Sequence, residues 1–192
     1  MRPLQTAAGL AAGLALLTTL TTLAVADPMQ KKVDCDKKQT IGQALEQADG
    51  LPMTIIVEGT CQEHPLIARN DVTLVAGPAG ATVLGPDPTQ NTITVTADRI
   101  VIDGLTVTGG RNGIANLGNR VTIRNCVVQA TGYIGISFFQ GGTGTVDGCT
   151  VRNNPRHGIY VESASVTVSN STIVENLVGV LVSSGGDRKS VV

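Results

Sequence analysis

The chain has 192 residues, of which 42% are hydrophobic, 15% are charged and 2% are aromatic, and its net charge is −1. This composition excludes a disordered chain, which would be rich in charge and poor in apolar residues, and a coiled coil, which needs abundant Leu, Glu and Lys. We expect no nucleic-acid partner, because proteins that bind nucleic acids neutralise the phosphates with an excess of Lys and Arg. The many Val, Ile and Thr residues and the 23 glycines favour β-strands joined by tight turns.

Residues 1–26 have the pattern of a secretory signal peptide. Arg2 precedes an apolar stretch, Leu10–Leu23, and the small residues Ala24-Val25-Ala26 stand just before Asp27. We therefore expect a secreted or periplasmic protein without membrane attachment after cleavage. The alternative is an uncleaved membrane anchor, which the shortness of the stretch and its four threonines disfavour.

Residues 27–52 are predicted to form a leader and a short capping helix. Thr40 suits the N-cap position. Four apolar residues fall on one face of the helix that follows: Ile41, Ala44, Leu45 and Ala48. Because a stack of repeats exposes an apolar end, we expect this helix to cover the first repeat.

Cys35 and Cys61 are predicted to pair in a disulfide. Secretion would place them in an oxidising compartment, and a bridge closing this loop of 26 residues would stabilise the fold by about 3 kcal/mol. The four cysteines contain no CxxC pair, and His64 and His157 are isolated in sequence, so we expect neither a metal site nor a cofactor.

Residues 53–186 are predicted to be a stack of β-coils, because two sequence markers recur with one period. Copies of an apolar-x-(Gly/Asn) motif begin 21, 23 and 22 residues apart, at Ile102, Ile123, Val146 and Val168. A Gly-Ile or Gly-Val pair recurs 22, 23 and 21 residues apart, at Gly113, Gly135, Gly158 and Gly179. No unit contains a helix-length apolar stripe, so these repeats are not βαβ units.

The bends of these coils are predicted at Gly or Asn residues that tolerate a left-handed backbone: Gly104, Asn125, Gly148 and Asn170. Coils stacked about 4.8 Å apart pair strand on strand in parallel, so equivalent side chains form ladders along the axis. One inward ladder would hold Leu105, Cys126, Cys149 and Ser171, and another would hold Val107, Val128, Val151 and Ile173.

Cys126 and Cys149 would be neighbours in the first of these ladders. They can form a second disulfide, or they can remain buried thiols that pack as small hydrophobes. We favour thiols, because stacked side chains in parallel strands point the same way and disulfide geometry is demanding.

The chain resembles secreted right-handed parallel β-helix proteins of the pectin-lyase-like superfamily. The resemblance covers roughly residues 35–186 and is carried by Thr54–Cys61, Asp71–Val75 and the Gly-Ile repeats. It implies an all-β right-handed parallel β-helix solenoid, here with a short N-terminal capping helix. The resemblance says little about function, because such repeats occur in lyases, hydrolases, epimerases and non-catalytic surface proteins.

The C-terminal segment is unlike the end of a complete solenoid. Residues 177–183 are apolar, no capping helix or polar repeat follows them, and residues 187–192 resemble a translated sequencing adapter. We expect a truncated fragment with a tail, 187–192, that is not native. The alternative is a small protein whose open end is covered by a partner or by end-to-end self-association.

The four aromatic residues all fall between positions 133 and 160, and they indicate the candidate site. In the Gly-Ile register, Ser137 and Tyr160 face outward as neighbours. The predicted catalytic residues are His157, Tyr160 and Arg156, and the predicted substrate-binding residues are Arg111, Tyr133, Phe139 and Glu162.

These residues suit a shallow groove for an extended, anionic polysaccharide. The arginines would bind carboxylates, while His157 or Tyr160 would exchange a proton beside a uronate carboxylate, with Glu162 as a second proton-transfer group. The sequence lacks the paired carboxylates of most glycoside hydrolases and the clustered acidic residues of a calcium site. If the protein is an enzyme, the resemblance implies a polysaccharide lyase, epimerase or hydrolase. The alternative is a non-catalytic structural or adhesive surface solenoid.

Overall fold

The computed structural model describes residues 28–47 and 52–183. The predicted signal peptide, 1–26, and the predicted non-native tail, 187–192, lie outside the described residues. In the described ranges, no helix combines the length and the apolar character needed to cross a bilayer.

The described chain winds through about seven coils of parallel β-structure. The N-terminal elements are β1 (Met29–Asp34), a 3-10 turn (Cys35–Lys37), α1 (Ile41–Glu46), β2 (Met53–Gln62), β3 (Leu66–Ile67), β4 (Val72–Gly85) and β5 (Ile93–Val95). The next two coils are β6 (Val101–Asp103), β7 (Thr106–Gly109) and β8 (Asn112–Asn116), then β9 (Val121–Arg124), β10 (Val127–Gln129) and β11 (Ile134–Phe138). The last two are β12 (Thr143–Asp147), β13 (Thr150–Arg152) and β14 (His157–Glu162), then β15 (Ser165–Ser169), β16 (Thr172–Val174) and β17 (Val178–Ser183).

Each coil contributes strands to the same faces of the stack, and the described strands that pair do so in parallel. One sheet follows the order β15-β12-β9-β6-β4-β7-β10-β13-β16, and β1 and β2 join it beside β4. The strand β4 belongs to two faces, because its first half pairs with β6 and its second half with β7. The other sheet, in the order β17-β14-β11-β8-β5-β3, forms the face that carries the candidate site. The predicted parallel β-solenoid is therefore confirmed.

The core is a set of aliphatic ladders. Val107 pairs with Val128, Val128 with Val151, and Val151 with Ile173, as the repeat predicts. The first three are fully buried, whereas Ile173 is only partly buried in the last described coil. A narrow interior of small side chains explains why the chain folds with so few aromatic residues.

The predicted bends adopt the left-handed backbone that Gly and Asn tolerate. The φ angles are +71° at Gly104, +53° at Asn125, +60° at Gly148 and +48° at Asn170. The two asparagine side chains also bond along the stack, since Asn125 Nδ2 donates to Asp103 (2.9 Å) and Asn170 Nδ2 donates to Asp147 (2.8 Å). These positions thus combine a sharp turn with a link to the neighbouring coil.

The Gly-Ile marker has a different cause, which is close packing. A Cβ atom on Gly135 would lie 2.6 Å from Val151 Cγ1 and 2.7 Å from the carbonyl oxygen of Gly158. Equivalent contacts surround Gly113 and Gly158, and none of these three glycines needs a positive φ. Glycine recurs here because the backbone of one coil passes directly against the next.

The predicted helix is present as α1, although Ala48 of its predicted apolar face lies outside the described residues, and Glu63 and the nearby Cys35–Cys61 disulfide attach it to the first coils. Thr40 Oγ1 accepts a hydrogen bond from Gln43 N at 3.1 Å, as expected of an N-cap. The Glu63 carboxylate accepts from the backbone N–H groups of Ile41 (2.7 Å) and Gly42 (3.0 Å). The predicted Cys35–Cys61 disulfide is present. Ile41 is fully buried, so the helix covers the apolar N-terminal side of the stack.

The leader contains a strand that the sequence reading missed. Residues 29–34 form β1 and pair in parallel with the start of β2, from Met29 opposite Met53 to Asp34 opposite Glu58. Lys32 forms an ion pair with Glu58 at 2.9 Å. The lysines of β1 suit an edge strand, where Lys residues are common because they discourage pairing with other chains.

Cys126 and Cys149 are free, buried thiols, as favoured from the sequence. Cys126 Sγ donates to the carbonyl oxygen of Arg124 at 3.2 Å, and Cys149 Sγ donates to that of Asp147 at 3.4 Å. Hydrogen bonding with Cys149 and burial raise the pKa of the Cys126 thiol. Cys126 therefore acts as a small core residue rather than as a reactive thiolate.

Candidate functional site

The sheet formed by β8, β11, β14 and β17 carries a groove of about 520 Å³ on its outer surface. The groove lies where one outward ladder changes from small to large side chains, from Ala115 through Ser137 to Tyr160 and Leu181. Ser137 faces outward in this ladder, but it is fully buried and its Oγ donates to the carbonyl oxygen of Ile114 at 3.5 Å. Ala115, Tyr160 and Leu181 line the groove, with Ala115 in its floor and the two larger side chains in its wall.

A second outward ladder forms a stack of two guanidinium groups and one phenol ring. Arg111 from the preceding coil and Arg156 from the following coil lie over Tyr133, with Cζ atoms 5.3 and 4.9 Å from the ring centroid. Such cation–π contacts order both arginine side chains. Tyr133 was predicted to contact the substrate through its ring, but guanidinium groups already lie against that ring. Its geometry also suits a residue that positions the two arginines, and its contact with a substrate stays a prediction.

His157 lies in the wall of the groove and is only 7% exposed. Its ring stacks on Tyr160, with the planes inclined by 16° and the centroids 5.5 Å apart. Its Nε2 atom faces Arg156 Nε at 3.4 Å, and its buried Nδ1 atom has no partner within the described part of the chain. Burial, reinforced by the Arg156 charge, lowers the pKa of His157 below its ordinary value of 6.5. The neutral form of His157 is therefore favoured.

Tyr160 connects the two ends of the wall. Its ring makes an edge contact with Phe139, with centroids 5.8 Å apart, and its hydroxyl group lies 3.2 Å from Ser183 Oγ. Phe139 and Glu162 directly follow the paired residues Phe138 and Val161, and both line the groove. Glu162 is exposed, so its carboxylate faces solvent at the groove edge.

The structure thus brings all seven predicted site residues to the lining of one groove: Arg111, Tyr133, Phe139, Arg156, His157, Tyr160 and Glu162. Sequence reasoning missed other lining residues, above all Asn91 and Asn112. Asn112 follows Arg111 just as His157 follows Arg156, so the repeat register could have identified it. Asn91 comes from a loop outside the strict repeat, and no pattern marked it.

The carboxylates Asp103 and Asp147 belong to a separate, structural ladder. Arg124 lies between them and bonds Asp103 at 2.8 Å. Hydrogen bonds from Ser169 and Asn170 lower the pKa of Asp147. This arrangement is a charge-balanced turn ladder, and it leaves these carboxylates engaged with their neighbours.

A second hollow, of about 530 Å³, lies beside the capping helix, but its central polar groups are already used. Glu63 caps the helix, as described above. His64 contacts the carbonyl oxygen of Asn91 through Nδ1 (2.8 Å) and accepts from the Asp87 N–H through Nε2 (3.1 Å). Glu63 also lies within 4.8 Å of Cys35 and Cys61, but the two sulfur atoms are bonded to each other.

Comparison with solved structures relates the chain to the crystal structure of pectate lyase Pel9A. The TM-score is 0.59 at 14% sequence identity, and the alignment covers 80% of this chain. The chain spans 55% of the length of the pectate lyase chain. At this identity the similarity establishes the fold and not the activity. No curated protein matches the chain.

A family match provides the identification. The family described as "Right handed beta helix region" matches residues 85–192, which is more than half of the chain. The matched range includes the strict repeats from β6 onward and all seven predicted site residues. The chain therefore belongs to the right-handed β-helix family.

Proposed function

We propose that the groove binds an extended, anionic polysaccharide outside the cytoplasm. The observation that carries the proposal is the pair of arginines, Arg111 and Arg156, held two coils apart on Tyr133. A guanidinium group can donate two parallel hydrogen bonds to a carboxylate, and ordering it in advance reduces the entropy lost on binding. Two such groups along the solenoid axis suit a ligand with repeated carboxylates.

The proposed location outside the cytoplasm rests on two further observations. The Cys35–Cys61 disulfide is typical of proteins that mature in an oxidising compartment. The N-terminal sequence has the signal-peptide pattern described above. The similarity to a pectate lyase supports a polysaccharide ligand as an analogy between folds.

A proton-transfer reaction in this groove would use His157, Tyr160 and Glu162. Tyr160 lies against the ring of His157. Because Arg156 already faces His157 Nε2, the histidine offers an N–H group to a ligand more readily than a free lone pair. In this proposal Glu162 accepts the proton removed beside a uronate carboxylate, Tyr160 gives its phenolic proton to the departing glycosidic oxygen as the C–O bond breaks, and His157 orients the glycan through an Nδ1–H hydrogen bond.

The non-catalytic alternative is a structural or adhesive solenoid. It is favoured by the exposed position of Glu162, since a catalytic carboxylate is usually shielded from solvent to shift its pKa. Both alternatives predict glycan binding if the adhesive surface is the groove. They differ in whether the glycan is cleaved or epimerised.

The test is calorimetric titration of the chain with polygalacturonate, alginate, xylan and galactan, followed by an ultraviolet assay for unsaturated uronate products. We expect an acidic glycan to bind and the Arg111→Ala/Arg156→Ala variant to lose at least tenfold in affinity, as expected for lost charge-assisted hydrogen bonds. Arg152→Ala is the matched control, because Arg152 is an exposed arginine of another sheet that bonds Gln129 at 2.9 Å. No binding by the wild-type chain, or an equal loss in the control, would contradict the proposal.

A further inference from the structure

Two buried polar atoms in the wall of the groove have no hydrogen-bond partner among the described residues. They are Asn112 Oδ1 and His157 Nδ1. Asn112 is 6% exposed and His157 is 7% exposed, and both residues line the groove. An unpaired polar atom at this depth destabilises the free protein, so its presence in a groove indicates a group that a ligand satisfies.

The hydrogen-bonding character of each atom follows from its neighbours. Asn112 Nδ2 donates to Asn91 Oδ1 at 2.9 Å, which directs the amide oxygen the other way as an acceptor. Arg156 Nε can only donate, and it faces His157 Nε2, so the neutral ring carries its proton on Nδ1. The wall therefore offers one acceptor, Asn112 Oδ1, and one donor, His157 Nδ1–H.

The two atoms belong to one ladder, and the β-sheet register sets their separation. Asn112 pairs with Ile134, and Ile134 pairs with His157, so the two polar residues are two coils apart. Two strand spacings amount to about 10 Å along the solenoid axis. That span exceeds the width of one sugar ring, and the residue between the two anchors is apolar.

We propose that the groove recognises a glycan of at least two linked sugars lying along the solenoid axis, with a hydroxyl group of one sugar donating to Asn112 Oδ1 and an oxygen atom of the other accepting from His157 Nδ1–H. The proposal rests on the proposed function and deepens it. The arginines select for negative charge at the groove edge, whereas the buried pair selects for hydroxyl position and for chain length. A single sugar can satisfy only one of the two anchors.

The first experiment uses the wild-type chain and needs no substitution. Calorimetric titration compares the monosaccharide, disaccharide and trisaccharide of whichever panel glycan binds. We expect the disaccharide to bind at least tenfold more tightly than the monosaccharide, with a smaller gain from the third sugar. Equal affinity for the monosaccharide and the disaccharide would overturn the inference.

The second experiment removes each anchor atom while keeping the side-chain volume, with Asn112→Leu and His157→Phe. We expect each variant to lose about tenfold in affinity for the disaccharide, as for one buried hydrogen bond. For His157→Phe, we expect a melting temperature equal to or above that of the wild type, since the change removes an unsatisfied atom. A deoxygenated disaccharide that lacks the hydroxyl bound by Asn112 should bind Asn112→Leu and the wild type equally weakly.

The outcomes separate the two proposals. If no glycan of the panel binds the wild-type chain, the proposed function and this inference both fail. If a glycan binds through Arg111 and Arg156 but Asn112→Leu and His157→Phe retain wild-type affinity, only the inference fails. Arg152→Ala again serves as the control that should retain full affinity.

Discussion

At the scale of single residues, the glycines of the repeat limit what each coil can tolerate. Gly135 shows this most clearly, because a Cβ atom there would lie 2.6–2.7 Å from a valine methyl group and a carbonyl oxygen of neighbouring coils. Neither atom can move aside without shifting a packed strand. We expect Gly135→Ala to lower the free energy of unfolding by about 1–3 kcal/mol in urea titrations, the usual cost of overpacking.

Gly179 provides the matched control for that prediction. It occupies the same ladder in the last described coil, where, among the described residues, an added Cβ atom would approach only Ile173 Cγ2, at 3.7 Å. Gly179→Ala should therefore change the stability little. Equal destabilisation by both substitutions would show that steric contact between coils is not the reason for the repeated glycine.

His157 should make the stability of the protein depend on pH. Burial holds the pKa of folded His157 below its ordinary value of 6.5, so in mildly acidic solution the unfolded chain binds a proton that the folded chain resists. The contribution of neutral, buried His157 to the free energy of unfolding is fully present above pH 6.5 and is lost as the pH falls below that value. We expect a steeper loss of stability as the pH falls below about 6.5 in the wild type than in His157→Phe, measured by urea unfolding at a series of pH values. Parallel curves for the two proteins would rule out this role.

At the scale of structural elements, the capping helix depends on covalent and polar contacts more than on its own length. With only six residues, α1 is too short to be stable alone. The Cys35–Cys61 disulfide and the Glu63 carboxylate hold it against the first coils. We expect Cys35→Ser/Cys61→Ser to lower the free energy of unfolding by about 3 kcal/mol, the value for a loop of this length.

Reduction of the wild-type protein provides the control for this prediction. Cys126 and Cys149 are already thiols, so a reductant changes only the Cys35–Cys61 bridge among the described residues. The reduced wild type and the double serine variant should unfold at the same urea concentration. Unchanged stability after reduction would mean that the helix is held by its polar contacts alone.

The sequence predicted the elements well wherever the repeat is strict, and less well before it. From Ile102 onward, two markers share one period, so the strands, bends and ladders could be assigned in register. Earlier in the chain, β4 runs for 14 residues across two faces, and it has no Gly/Asn bend at the position that the later repeats predict. The strand β1 was not predicted, because its lysines are not typical of a core strand. In the groove, charged and aromatic residues were identified from the ladder positions. The hydrogen-bond state of Asn112 and His157 could not be predicted, because it depends on three-dimensional contacts with Asn91 and Arg156.

At the scale of the whole molecule, the two sides of the described stack differ. The N-terminal side is covered by α1, whereas the last described coil presents Leu177 at 77% exposure and Val174 at 44% exposure. Apolar side chains beside strand edges promote association. We expect end-to-end self-association that increases with protein concentration in sedimentation velocity experiments, and its suppression by Val174→Lys/Leu177→Lys.

Leu66 gives a control for the self-association experiment, since it is 53% exposed but lies in one of the first coils. Leu66→Lys adds one positive charge, against two in Val174→Lys/Leu177→Lys, and should leave the association unchanged. A monomeric wild-type protein at every concentration would contradict the prediction. Equal suppression by both variants would indicate a general effect of charge rather than contact through the last described coil.

The most direct test of the whole account is a crystal structure of the chain with the oligosaccharide that binds most tightly. The account predicts an oligosaccharide lying along the solenoid axis beside the Arg111–Tyr133–Arg156 stack, with oxygen atoms within hydrogen-bonding distance of Asn112 Oδ1 and His157 Nδ1. An oligosaccharide bound elsewhere, for example in the hollow of similar volume beside the capping helix, would contradict it.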